Sequence, residues 1–152
     1  MYKRQTTTPT IVTTASAGGP IGTVLTDQAT LANAFNPTGT ITFRLYGPND
    51  ATCANTAVFV SNAIAVNGNG IYTSAPGYTS PAVGTYRWIA SYSGDANNAA
   101  ISGVCNGANE TATIAPPPTT VTEIPTLSQW MLLALGLLLA CFGLLGVRRT
   151  MR

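Results

Sequence analysis

From Thr10 to Ala115 apolar and polar residues alternate in short runs broken by turn signals. The stretch "TITFRLYG" puts Ile41, Phe43 and Leu45 on one face and Thr40, Thr42 and Arg44 on the other. The stretch "GTYRWIASYSGD" does the same, with Tyr86, Trp88, Ala90 and Tyr92 opposed to Arg87, Ile89 and Ser91. A period of two is that of a strand with one buried face. "TIVTTAS", "GTVLTDQATL", "IYTSA" and "NETATIA" read as further strands, and "AVFVSNAIAV" as one strand or two short ones. "NPTG" at Asn36–Gly39 and "NGNG" at Asn67–Gly70 punctuate them, because Gly, Asn and Pro supply the backbone angles that tight turns need. About seven short strands predict a mainly β fold, an antiparallel β-sandwich over residues 10–115.

The pattern then changes. "APPPTTVTEIP", Ala115–Pro125, has three consecutive prolines, which favour an extended spacer. We read a Pro-rich linker over 116–123. Trp130 to Val147 contains no charge, and as a helix it spans about 27 Å, close to a bilayer core. Trp130 stands at one end, where interfacial aromatics sit, and Arg148, Arg149 and Arg152 form a membrane-stop basic cluster at the other. This predicts one C-terminal transmembrane helix over 130–147, with the arginines in the cytoplasm and the β-domain outside.

Composition narrows the function classes. Only 8% of residues are charged, against roughly 25% in ordinary soluble domains. The net charge of +2 comes from the two ends. Between Thr10 and Ala115, Arg44 and Arg87 stand against Asp27, Asp50, Asp95 and Glu110, which leaves −2. Such a body has no electrostatic footprint for nucleic acid. Histidine is absent, which removes the commonest general base and metal ligand. No serine has a base beside it in the sequence, and the glycines lie in turns between strands rather than in a phosphate cradle. The reading is therefore not an enzyme, with no cofactor and no metal. Asp95, Asn97 and Asn98 offer oxygens to calcium, but one carboxylate is thin for a hard cation, and a polar turn is the plainer reading. Tyr46, Tyr72, Tyr78 or Tyr92 can stack on a sugar if exposed, although at least one is expected in the core.

The start, "MYKRQ" followed by "TTTPTIVTTAS", lacks the apolar run of a signal peptide. Residues 1–9 read as a disordered or non-native start, and an exported chain is expected to carry more sequence upstream.

"PTGTITFRLYGPNDATC", "VNGNGIYTS" and "GTYRWIASYSGDANN" with "GVCN" together resemble a bacterial immunoglobulin-like repeat of large surface proteins, over roughly Ile21 to Ala115. The resemblance implies an immunoglobulin-like sandwich serving as a spacer or adhesion module. Tyr86, two residues before Trp88, stands where such domains carry a tyrosine near the start of the penultimate strand. Phe43, Tyr86 and Trp88 are the expected core aromatics. In that arrangement the strands before Cys53 and Cys105 are neighbours in one sheet. Their ends bring the two thiols within disulfide reach, the alternative being two free thiols in loops. Cys141, in the apolar run, is most simply a helix residue.

Ile124, Pro125, Thr126, Leu127, Ser128, Gln129 and Trp130, followed by an apolar run and arginines, closely resemble the IPTL-CTERM sorting signal, a relative of PEP-CTERM found on exported proteins of Gram-negative bacteria. The resemblance assigns 124–152 to a sorting signal, with motif 124–130, helix 130–147 and basic tail 148–152. It implies processing by an exosortase-type membrane protease. The precursor sits in the inner membrane, and the product reaches the cell surface or is secreted. Met131 departs from the small residue common there. Pro125 disfavours helix at Ile124 and keeps the motif extended, as a protease substrate must be. The expected function is a non-catalytic surface module, with an extracellular polymer or cell-surface molecule as its conceivable ligand. The competing readings are a permanently membrane-anchored stalk, or an accessory domain, glycan-binding in one version, of a larger extracellular enzyme.

Overall fold

The computed structural model describes residues 6–120 and 131–138. The chain divides into two compact units, Met1–Pro118 and Thr119–Arg152.

The first unit is built almost wholly of antiparallel strands. One sheet has the order β1 (Thr10–Ala15), β4 (Asp27–Ala32), β8 (Gly70–Thr73). The other has the order β2 (Gly19–Pro20), β12 (Thr111–Ala115), β10 (Gly84–Tyr92), β5 (Thr40–Tyr46), β6 (Phe59–Val60). In that sheet β11 (Ile101–Ser102) also pairs with β10 and β7 (Ile64–Ala65) with β5, while β3 (Val24–Leu25) and β9 (Tyr78–Thr79) form a separate small ladder. One pair is parallel: Ile114 lies opposite Gly19 and Ala115 opposite Pro20.

Alternation makes the core. Ile41, Phe43 and Leu45 of β5 and Tyr86, Trp88, Ala90 and Tyr92 of β10 are all buried, as are Ala29 and Leu31 of β4 and Ala112 and Ile114 of β12. Both sheets contribute to this one cluster, so their inner faces pack on each other. β5 and β10 run side by side, with Leu45 opposite Trp88 and Phe43 opposite Ala90. The Trp88 indole meets the Phe43 ring edge-on at 6.4 Å and the Phe59 ring at 5.9 Å.

One predicted strand is broken, and another stretch resolves into the two short strands its pattern allowed. "GTVLTDQATL" divides at Thr26 into β3 and β4. Ser16 holds Thr26 on both sides: the Thr26 amide donates to Ser16 Oγ at 3.0 Å, and the Ser16 amide donates to the Thr26 carbonyl at 2.8 Å. "AVFVSNAIAV" divides into β6 and β7 around Ser61, which exchanges bonds with Phe43: its Oγ accepts the Phe43 amide at 3.0 Å and its own amide donates to the Phe43 carbonyl at 2.9 Å. The described residues therefore hold twelve strands rather than about seven, six of them only two residues long. Gly39 makes the turn before β5 possible. Its φ is +85°, and a Cβ there would lie 2.6 Å from the Gly94 carbonyl oxygen and from Ser93 Oγ.

In the second unit, residues 131–138 form a helix, α1, whose eight residues are all exposed. Trp130 and 139–147, the remainder of the predicted transmembrane span, lie outside the described residues. Among the described residues, no helix is long and apolar enough to cross a membrane.

Candidate functional site

Three places were singled out by sequence: the tail motif, the cysteine pair and the Asp95 loop. The motif residues Ile124–Trp130 and the basic cluster Arg148, Arg149 and Arg152 lie outside the described residues. Next to the motif, α1 is "MLLALGLL", with no polar side chain. Met131, Leu132, Leu133, Leu135, Leu137 and Leu138 are each more than half exposed. A helix that is apolar all round is stable only where lipid or protein covers it.

Cys53 and Cys105 form a disulfide, with Cα atoms 5.9 Å apart and 52 residues of separation. The bond joins the loop after β5 to the loop after β11. Asp50 shapes the first loop, its two carboxylate oxygens accepting the amides of Ala54 and Asn55 at 3.0 Å each. Burial acts to raise the Asp50 carboxyl, but the amides of Asn55, Ala54 and Thr52, with Arg87, outweigh it and hold the group below its ordinary value. Arg87 Nε donates to Asn106 Oδ1 at 2.6 Å, and Asn106 Nδ2 donates to the Ala51 carbonyl at 2.8 Å. The two loops are thus tied by a covalent bond inside a small polar network. Replacing both cysteines by alanine is expected to cost about 2–4 kcal/mol, from the freedom returned to the unfolded chain. Comparing urea unfolding of the variant with that of the oxidised protein checks this, and a midpoint change below a tenth of that value would contradict it.

The Asp95 carboxylate is enclosed by its own chain. Its Oδ1 accepts the amides of Asn97 and Asn98 at 2.7 and 2.9 Å. Its Oδ2 accepts the Thr38 amide at 2.7 Å and the Tyr92 hydroxyl at 2.8 Å. Asn98 Nδ2 donates to both oxygens, and the Asn98 side chain also bridges the Phe35 amide and carbonyl. Asp95 therefore clamps the turn before β5 onto the loop after β10, and a cation there would have to displace these donors. The polar-turn reading of Asp95, Asn97 and Asn98 fits this geometry. The Thr38 amide is the largest influence holding the Asp95 carboxyl far below its ordinary value, against burial and with help from Asn98, Asn97 and Tyr92. Because the folded value lies below the unfolded one, the stabilisation is present above about pH 4 and is lost as pH falls below it. Thermal unfolding followed from pH 5 downward is expected to show a loss in the native protein that is shallower in Asp95→Asn, although that variant starts less stable at neutral pH. Parallel pH profiles would contradict this.

Of the four tyrosines considered, Tyr72, Tyr78 and Tyr92 are engaged by the fold, and Tyr46 is half-buried at the end of β5. Tyr92 is buried, its hydroxyl donating to the Thr38 carbonyl and Asp95, and burial with Asp95 pushes it up to about 12. Tyr72 and Tyr78 pack on the core, and the Tyr72 hydroxyl donates to the Gly68 carbonyl at 2.7 Å.

Sequence reasoning passed over Asp27 and Glu110. Both are buried, with exposures of 1% and 4%. Both oxygens of Asp27 and Oε2 of Glu110 have no hydrogen-bond partner, and the same is true of Trp88 Nε1. Burial raises Asp27 to about 7; the Gln28 and Thr14 amides lie near enough to oppose this in part but are too poorly aligned to count as hydrogen bonds. Burial, then the charge of Asp27, raises Glu110 to about 8. Parity was the available signal: Asp27 shares a face with Ala29 and Leu31, and Glu110 with Ala112 and Ile114. Among the described residues, no three His, Cys, Asp or Glu side chains gather in a way that could hold a metal.

The fold and the tail define a mainly β domain of antiparallel sheets, closed by one disulfide and followed by a C-terminal apolar helix. Residues 124–149 match the IPTL-CTERM motif, and that segment carries this sorting signal. No curated protein matches the chain. Among solved structures, the CARDB domain of the PF1109 protein from Pyrococcus furiosus, determined in complex with di-metal ions, is similar at 14% identity, over 72% of this chain and 96% of that one, with a TM-score of 0.39.

Proposed function

We propose that the chain is a non-catalytic, exported surface module. An immunoglobulin-like domain is delivered to the cell exterior by a C-terminal signal that an exosortase-type membrane protease processes. The observation that carries this reading is the motif match over 124–149. The physics of the tail supports it: a proline spacer, a Pro125 that disfavours helix at the motif, a helix with only apolar side chains over 131–138, and a basic end. The helix would hold the precursor in the membrane with Arg148, Arg149 and Arg152 in the cytoplasm. Ile124 to Trp130 would then be presented at the outer face for cutting.

The immunoglobulin-like reading of the domain draws on two further features. Both sheets share one core. The Tyr86 hydroxyl donates to the Ala82 carbonyl four residues upstream at 3.0 Å, the tyrosine corner that such domains use. The disulfide suits an oxidising exterior.

The test is the intact mass of the full chain, produced in a host with and without a matching exosortase. A loss of mass corresponding to the tail, only with the enzyme present, is the expected result. Replacing Ile124 and Pro125 by alanine is expected to reduce cleavage at least tenfold. An unchanged mass in both hosts, with the protein in the membrane fraction, would overturn processing and leave a permanently anchored stalk.

A further inference from the structure

At one end of the domain the two sheets turn acidic side chains inward. Ala15 of β1 lies opposite Asp27 of β4, and the Ala15 amide donates to the Asn109 carbonyl at 2.8 Å. Glu110 follows Asn109, and its carbonyl accepts the Trp88 amide at 2.9 Å. This register brings Asp27 and Glu110 to the same end of the core, close enough for the charge of Asp27 to act on Glu110. Three of their four carboxylate oxygens are buried without a hydrogen-bond partner.

Nothing positive answers them among the described residues. Arg44 is exposed on the outer face of β5. Arg87 faces away from the core, its guanidinium donating to Asn106 and to the Thr85 carbonyl. Ionising both carboxylates in such a place is costly unless a cation joins them. The Glu110 side of the place borders open space, with Asp27 behind it. A groove of about 220 Å³ runs between β1 and the segment 103–110, and its lining includes Ile11, Thr13, Gly107 and Glu110. At about 30 Å³ per water it has room for a partly hydrated ion. Gly107 keeps the inward seat of Glu110 open: a Cβ there would lie 3.1 Å from Glu110 Cγ and 3.3 Å from the Val104 carbonyl oxygen.

We propose that this end of the domain binds a hard divalent cation of the calcium class between the carboxylates of Asp27 and Glu110, entered through the groove beside β1. The donors on offer are all oxygen: two carboxylates, the Thr13 hydroxyl at the groove wall, and water. With no histidine in the chain and both body cysteines in the disulfide, nitrogen and thiolate ligands are missing, which favours calcium over the softer transition metals. Two carboxylates make a weak site, in the range of about 10⁻⁴–10⁻³ M typical of extracellular modules. The ion would neutralise the buried charge and brace the 103–110 segment against β1.

The experiment is thermal unfolding of the full chain in detergent micelles at neutral pH, in EDTA and then in about 5 mM calcium, above that affinity range. Calcium is expected to raise the midpoint by about 5 °C or more. An equal concentration of magnesium, a smaller ion that gives up its water reluctantly, is expected to raise it less. Asp27→Asn and Glu110→Gln should each remove the calcium response. Both keep the side-chain shape and delete a buried charge, so they are expected to fold, and cooperative unfolding in EDTA verifies it. Terbium luminescence excited through tryptophan gives a second readout, present in the native protein and lost in Asp27→Asn. A midpoint indifferent to calcium would overturn the site and leave the pair satisfied by protons alone. A calcium response that survives Asp27→Asn would overturn it as well, by placing the ion elsewhere.

Discussion

Replacing Trp88 by alanine is expected to destabilise the domain by about 3–5 kcal/mol, the range for removing a large aromatic side chain from a packed core. Trp88 has no exposed surface and lies at the centre of β10, which pairs with three other strands. Its indole meets Phe43 and Phe59 edge-on, and Phe59 in turn packs on Tyr78, which packs on Tyr86. Truncation therefore opens a cavity where both sheets meet and removes the hub of an aromatic chain, whose pairs add about 0.5–1.5 kcal/mol each. The disulfide still limits the unfolded state, so the variant should unfold at lower urea rather than fail to fold. Trp88→Phe should cost less than half as much, because the ring contacts persist in part and the unpartnered indole N–H disappears. Urea midpoints of the two variants check the order, and equal losses would contradict it.

The Asp27→Asn variant is expected to be more stable than the native protein at pH 9 in the presence of a chelator, by on the order of 3 kcal/mol. In the folded protein Asp27 and Glu110 are raised to about 7 and about 8, against ordinary values of 3.8 and 4.5. The folded state therefore keeps protons that the unfolded chain has already released. Their favourable contribution is complete below about pH 4 and is lost as pH rises toward 8. This is the opposite slope to that of Asp95, so the native protein should be most stable at mildly acid pH. Asparagine at 27 cannot ionise, and it lifts the repulsion on Glu110. The measurement is the urea midpoint at pH 5 and pH 9 in EDTA. A variant that loses as much stability as the native protein across that interval would contradict the expectation.

The strands most legible in the sequence are β5 and β10, because both bury one complete face and their alternation is unbroken over seven and nine residues. Of the two-residue strands, β6 and β7 were legible as one of two alternatives, and the others were not. β3 and β9 owe their pairing to a tertiary contact, Val24 opposite Thr79 and Leu25 opposite Tyr78, that leaves no local period. Thr26 looks like any strand threonine until Ser16 is seen to hold it. The cysteine pair was readable only through the resemblance to an immunoglobulin-like repeat, which implies that the strands before Cys53 and Cys105 are neighbours, as β5 and β10 are. The role of Asp95 was half readable: its loop was recognised as polar, but the partner turn at Thr38 lies 57 residues away. The Asp27–Glu110 pair shows a different limit. The sequence pattern records which face a residue takes, whereas the missing counter-charge is a property of the assembled core. The tail motif is legible because it is a linear signal, residue types in a fixed order.

The parallel pairing of β2 with β12 has a mechanical meaning. Gly19–Pro20 and Ile114–Ala115 lie near the two ends of the domain and run in the same direction. When a domain is held at its C-terminal side and pulled from its N-terminal side, such a pair is drawn lengthwise, one strand past the other. Its hydrogen bonds share the load and must yield together, whereas an antiparallel hairpin pulled from its open end opens one bond at a time. Beyond that pair, the covalent bridge closes the chain from Cys53 to Cys105, so those 52 residues add almost nothing to the extension even when the sheets come apart. Under tension the give of the domain is therefore confined to the residues outside the bridge.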